Sequence, residues 1–314
     1  MPEQAWIEVY PFQERSLNIS DVGKRIKLNP ELSDYCDKSW KPKAEKGWKS
    51  SWISFAGDVY FTDSEVNVNS GAMPFSQVDG IVKAIEKEEY FARGHKYSNC
   101  LSVGFLTATK DDTIIFQRRA PDVHVPNTLI HEPCGYMASM YFAPRAECDD
   151  PKYANDSRLF DLETQLNAKK KQIAETFGLS AEQVSYGLKQ DFLATGWLSK
   201  EMYFSTTGKI DAKQKDLNMP EKGEFVFVPF KFLKDLIHNQ GKLSKVSPEN
   251  YRPSDVREMP LIDESLIGLI FGYEKLTGEK LDINETIDRL SQDGLSIKVY
   301  DTSPGKGYGF PTFF

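Results

Sequence analysis

Apolar residues recur along this chain with two different periods, and the changes of period mark its elements. Trp6-Ile7-Glu8-Val9-Tyr10 alternates with the two-residue repeat of a strand. Trp52-Ile53-Ser54-Phe55 and Val59-Tyr60-Phe61 predict two short strands joined by a hairpin turn near Gly57-Asp58. Residues 75–91 switch to helical spacing through Val78, Ile81, Val82 and Ile85, and end in the solvated run Glu86-Lys87-Glu88-Glu89. Residues 101–108 and 113–119 predict two strands around the turn Lys110-Asp111-Asp112. Further on, Leu162, Leu166, Ile173 and Phe177 fall on one helical face, with Lys169 near the same stripe and Gly178 as the stop. Strands are expected within 183–192, 201–206 and 224–230, and helices over 232–237 and 263–276. The tail, 282–314, predicts a short helix and a strand near 296–300, and its closing SPGKGYGFPTFF reads as disordered.

Composition narrows the class. With 314 residues the chain has material for two domains, and 40% hydrophobic against 27% charged residues is ordinary for a globular protein. A net charge of −7 argues against a nucleic-acid backbone as the main partner. No run of 18 apolar residues exists and the N-terminus lacks a secretory pattern, so a cytoplasmic protein without membrane spans is expected. Cys36, Cys100, Cys134 and Cys148 have no metal-ligand spacing and read as reduced thiols. Trp40, Trp48 and Trp52 stand in a lysine-rich passage and predict a small packed core more than a stacking platform. His124 and His131 have no second ligand at metal spacing and read as structural histidines.

The polar positions of the 163–179 helix carry the chemistry. Glu163 stands eight residues before Lys171, which opens Lys171-Gln172-Ile173-Ala174-Glu175-Thr176-Phe177-Gly178-Leu179. This resembles the signature helix of the Nudix superfamily: a glycine, five residues, a glutamate, seven residues, then R-E-U-x-E-E-x-G-U with U bulky and aliphatic. Five of its nine fixed positions are kept, at Glu163, Ile173, Glu175, Gly178 and Leu179. Lys171 replaces the arginine, Gln172 and Thr176 replace two glutamates, and Ser157 stands where the opening glycine belongs. The preceding Pro133-Cys134-Gly135 looks like a worn Pro-x-Gly-Gly element, and 27 residues separate Gly135 from Glu163, an insertion spanning about 137–160.

The resemblance covers roughly 97–280. It implies a Nudix-like α/β/α sandwich with a mixed sheet, preceded by a small α/β module over 1–96 and followed by an extension over 281–314. It also implies a nucleotide-type ligand, a nucleoside diphosphate linked to another group, and a homodimer as many relatives form. Catalytic roles would fall to Glu163 and Glu175, and Mg²⁺ or Mn²⁺ would be held by Glu175, Glu163 and a later carboxylate such as Glu201, Asp191 or Glu182. Arg118, Arg119 and Lys171 would meet the diphosphate. An amide and a hydroxyl are neutral and bind a hard cation far less tightly than carboxylates do. The expectation is therefore a ligand-binding protein with weak or absent pyrophosphohydrolase activity. An active hydrolase with relocated carboxylates, and a protein-interaction scaffold built on the N-terminal module, are the alternatives.

Overall fold

This computed structural model describes residues 5–25, 27–50, 52–87, 89, 98–119, 125, 128–131, 134–136, 162–187, 190–196, 200–218, 225–242 and 260–310. The elements run β1 (Ala5–Pro11), β2 (Ser16–Arg25), α1 (Pro30–Glu45), β3 (Trp52–Phe61), β4 (Glu65–Pro74), α2 (Phe75–Glu86), β5 (Leu101–Thr109), β6 (Thr113–Arg118), β7 (Leu129–His131) and β8 (Cys134–Tyr136). They continue with α3 (Leu162–Phe177), β9 (Val184–Tyr186), β10 (Phe192–Thr195), β11 (Met202–Ile210), β12 (Phe225–Pro229), α4 (Leu233–His238), α5 (Asp263–Thr277), α6 (Ile283–Gln292), β13 (Leu295–Val299) and β14 (Gly307–Gly309). The expected insertion, about 137–160, and His124 and Cys148 lie outside the described residues.

The large sheet is mixed. Its main path is β12-β6-β5-β11-β10-β1-β13, with β7, β8 and β9 attached to β6, β5 and β11. Strand β5 runs parallel to β11, and β1 parallel to β13. Alternation along the strands gives the sheet two apolar faces. Leu106, Ala108, Ile114, Phe116 and Tyr203 point to one face, which is covered by Leu266, Ile267, Leu269, Ile270 and Tyr273 of α5, with α4 and α6 beside it. On the other face, Ile115, Ile210 and Phe227 receive Ile173, Ala174 and Phe177 of α3. The layering is thus α/β/α, as the expected fold class requires. All nine residues of β5 are buried, because this strand lies between both layers.

A second, four-stranded sheet, ordered β14-β3-β4-β2, packs on the remaining part of that other face. The hairpin expected at Gly57-Asp58 does not form. Strand β3 runs unbroken from Trp52 to Phe61, and its register against β4 slips between Ala56 and Asp58. Gly57 is the extra residue of a bulge, which is the usual alternative to a turn for a glycine inside a strand. The bulge changes the parity of the strand. Ile53 and Phe55 face α1 and α2, whereas Val59 and Phe61 face the large sheet.

Helix α1 arises in the lysine-rich passage, where Asn29 caps the first turn by accepting from the Leu32 amide at 2.9 Å and Pro30 opens the helix. Trp40 packs edge-on to Phe75 at 5.7 Å, and the Lys43 ammonium lies 5.7 Å from Trp40 and 5.3 Å from the exposed Trp48. The tryptophans are therefore spread over the α1 surface and β3, and do not form one core.

Strand pairing cuts across the boundaries expected after residues 96 and 280. Strand β1 enters the large sheet, β13 joins it alongside, and β14 completes the second sheet. The tail is folded over residues 295–310, where its aromatics have partners. Tyr300 stacks on Tyr10 at 4.6 Å, its hydroxyl donates to Glu8 at 2.5 Å, and Phe310 is buried in the core between the sheets. No helix among the described residues is long and apolar enough to cross a membrane. Cys36 and Cys100 are buried free thiols and Cys134 is a half-buried one. Burial pushes the Cys36 thiol up to about 12, so it is protonated and inert at neutral pH.

Candidate functional site

Helix α3 is anchored by its inward stripe, and the anchoring decides where its polar residues go. Ile173, Ala174 and Phe177 are buried, so Lys171, Gln172 and Glu175 are turned to solvent. The helix closes at Gly178, which sits at φ +67°, a left-handed conformation that costs glycine nothing. The Leu179 amide then reaches back to the Ala174 carbonyl at 2.8 Å.

The described polar groups of the motif have local partners. Lys171 pairs with Glu175 at 3.7 Å, both side chains being about 70% exposed. The Thr176 hydroxyl donates to the Gln172 carbonyl at 2.8 Å. The Lys169 ammonium donates to the Cys134 carbonyl of β8 at 2.7 Å and to the Gln172 side-chain oxygen at 3.2 Å. Glu163 lies in the first turn of α3, but its side chain falls outside what is described.

The remaining expected site residues sit elsewhere. Arg118 ends β6, paired with Leu129 of β7, and the Arg119 amide donates to the Thr128 carbonyl at 2.9 Å. Both side chains are half-buried and neither residue is without a partner. Glu201 is buried just before β11, and its charge, with that of Glu264, reinforces the effect of burial in pushing the Cys100 thiol up. Nine steps of extended chain, at about 3.3 Å each, put it roughly 30 Å along β11 from Ile210, on which the last turns of α3 pack. Glu201 and Glu175 are not brought together. Asp191 forms an ion pair with Lys275, and burial pushes its carboxyl up while the lysine opposes that. Glu182 is exposed; its own backbone amide and Ser180 hold its carboxyl below the usual range, with a smaller pull from Lys170. Among the described residues, no three His, Cys, Asp or Glu side chains assemble a metal-binding group.

Two further features bear on the site. A cleft of about 300 Å³ opens at the carboxyl ends of the parallel strands β5 and β11, walled by Phe230 and edged by Lys110, Lys209, Asp112, Glu182 and Ser185. Ligands of open α/β sheets commonly settle at such strand ends. The cleft adjoins α3, since Glu182 lines it and feels Lys170. The second feature is His131, fully buried, whose Nδ1 lies 2.8 Å from the Ser265 hydroxyl and whose backbone amide donates to the same oxygen at 2.9 Å. Its Nε2 has no partner among the described residues and points at Gly104, where a Cβ would lie 1.7 Å away. Only glycine fits there. The histidine is structural, as its isolation in the sequence suggests.

These features define a mixed α/β protein whose motif-bearing helix covers one end of its central sheet. No family model and no curated protein matches the chain. Among solved structures, DR0079 from Deinococcus radiodurans aligns with 46% of this chain and 76% of its own, at a TM-score of 0.27 and 10% identity. RenU, a Nudix hydrolase from M. smegmatis, aligns with 43% of this chain and 73% of its own, at a TM-score of 0.25 and 17% identity.

Proposed function

We propose that this chain is a Nudix-derived binding protein, which recognises a nucleoside diphosphate joined to another group and cleaves it slowly or not at all. The observation that carries this reading is the local bonding of α3. Where the motif calls for metal-binding glutamates, Gln172 accepts from Lys169 and Thr176 donates back into its own helix. Of the two motif carboxylates that are retained, Glu163 and Glu175, the latter answers Lys171. A hard divalent cation needs several oxygen ligands, preferably anionic, and the described residues do not fit one. Loss of one ligand or its support costs ten- to a hundredfold in affinity or activity, so loss of two lowers turnover by orders of magnitude.

The competing reading is an active hydrolase with relocated carboxylates. It draws on buried acids elsewhere in the chain, such as Glu201 and Glu264. Titration of the full chain with dinucleotides and nucleotide sugars, with and without Mg²⁺ or Mn²⁺, separates the two. Product release and thermal shift are followed together. Stabilisation without release is expected. Metal-dependent release, lost in Glu201→Gln or Glu264→Gln, would establish the hydrolase. Silence in both readouts would refute nucleotide recognition and leave the scaffold alternative. In the binding reading, the double substitution Gln172→Glu and Thr176→Glu installs two carboxylates one turn apart and should create a Mg²⁺-dependent thermal shift absent from the native chain.

A further inference from the structure

Three consecutive lysines, Lys169, Lys170 and Lys171, lie on α3, and their partners differ in charge. Lys171 faces the carboxylate of Glu175 at 3.7 Å. Lys170 adds only the smallest pull on the exposed Glu182 carboxyl. Lys169 instead donates to two neutral oxygens, the Cys134 carbonyl and the Gln172 amide oxygen. Neutral acceptors orient an ammonium but do not cancel its charge. From this we infer that Lys169 is an anion-binding group, a fixed ammonium that takes a phosphate oxygen of the ligand without a divalent metal. The inference rests on the phosphate-containing ligand of the proposed function and assigns the cation that receives it.

The geometry suits the role. An ammonium has three donors; two are committed to Cys134 and Gln172, which leaves one for an incoming oxygen. A lysine side chain is rich in rotamer freedom, and here that freedom is lost on folding, because Nζ already bridges α3 to β8. Binding therefore meets a preorganised charge. The stem lies one turn before the buried Ile173, on the inward-facing side of the helix and away from Glu175. A divalent ion seeking the Gln172 oxygen or the Cys134 carbonyl would meet this like charge at contact distance and would have to displace it. The expected diphosphate contact thus moves from Lys171, whose charge Glu175 answers on the exposed face, to Lys169.

The test is isothermal titration of the full chain with inorganic pyrophosphate and with ADP, in EDTA and in Mg²⁺. The native chain should bind in EDTA. Lys169→Gln should weaken binding roughly tenfold or more, as loss of a charge-assisted hydrogen bond does. Lys171→Gln should weaken it less, and Lys169→Arg should restore most of it. If Lys169→Gln fails to fold by circular dichroism, Lys169→Met keeps the apolar stem beside Ile173 and takes its place. Binding that requires Mg²⁺, or that survives loss of the Lys169 charge, overturns this assignment and leaves nucleotide recognition standing. Absence of binding by either probe in both buffers overturns the two together.

Discussion

Acidification should destabilise this protein through His131, and the size of the effect follows from its surroundings. The ring is fully buried between β5 and α5, and burial alone pushes its imidazole down to about 3. In the unfolded chain the same group titrates near 6.5. Above that value neither state binds the proton, and His131 contributes nothing to the pH dependence. Below it the unfolded chain gains a proton that the folded protein refuses, so stability falls as pH drops from about 6.5 towards 3. The slope approaches 1.36 kcal/mol per pH unit, and between pH 7 and pH 5 the loss amounts to about 2 kcal/mol. Other groups add their own pH dependence, notably Asp191, whose raised carboxyl acts with the opposite sign. The informative quantity is therefore a difference. Urea unfolding at pH 7, 6 and 5 would be compared for the native chain and for His131→Gln, which keeps an acceptor for Ser265 but no titratable ring. Whatever its absolute stability, the variant should lose about 2 kcal/mol less over this range. Parallel curves would refute the buried, neutral histidine.

Two further outcomes follow from the packing. Gly104→Ala places a methyl 1.7 Å from His131 Nε2; overpacking and disturbance of the Ser265 bond should together cost about 2–4 kcal/mol in urea unfolding. Adding His131→Ala should recover part of that loss, and strict additivity would show that the two residues do not collide. Phe310→Ala, near the chain end, should cost about 3 kcal/mol because the ring is buried between the two sheets; an unchanged melting temperature would mean that the tail does not dock.

Much of the fold was legible because local pattern and tertiary demand agreed. The β5–β6 hairpin, α3 with its Gly178 stop, and α5 are all marked by periodicity and by turn or cap residues. The sequence also held a start signal for α1 in Asn29-Pro30, obscured by the polar run that follows. Gly57 misleads for a physical reason: a glycine flanked by apolar residues suits a hairpin turn and a bulge equally, and only pairing with β4 selects the bulge. Among the candidate site residues, Glu163, Lys171 and Glu175 share one helix. Whether Glu201 could join them depended on the length of β11, which a motif does not encode.

The sequence by itself therefore determined elements such as β5, β6, α3 and α5, and where α3 departs from the signature it resembles, because helical and strand periods, caps and the identities of Gln172 and Thr176 are local properties. Only the tertiary structure decided that β1, β13 and β14 join sheets across the expected boundaries, that His131 presses on Gly104, and that Lys169 meets Cys134. These contacts link residues 27 to 290 positions apart in the chain. Long-range partners of this kind are selected by which apolar faces can be buried together, and that choice is made only when the whole core assembles.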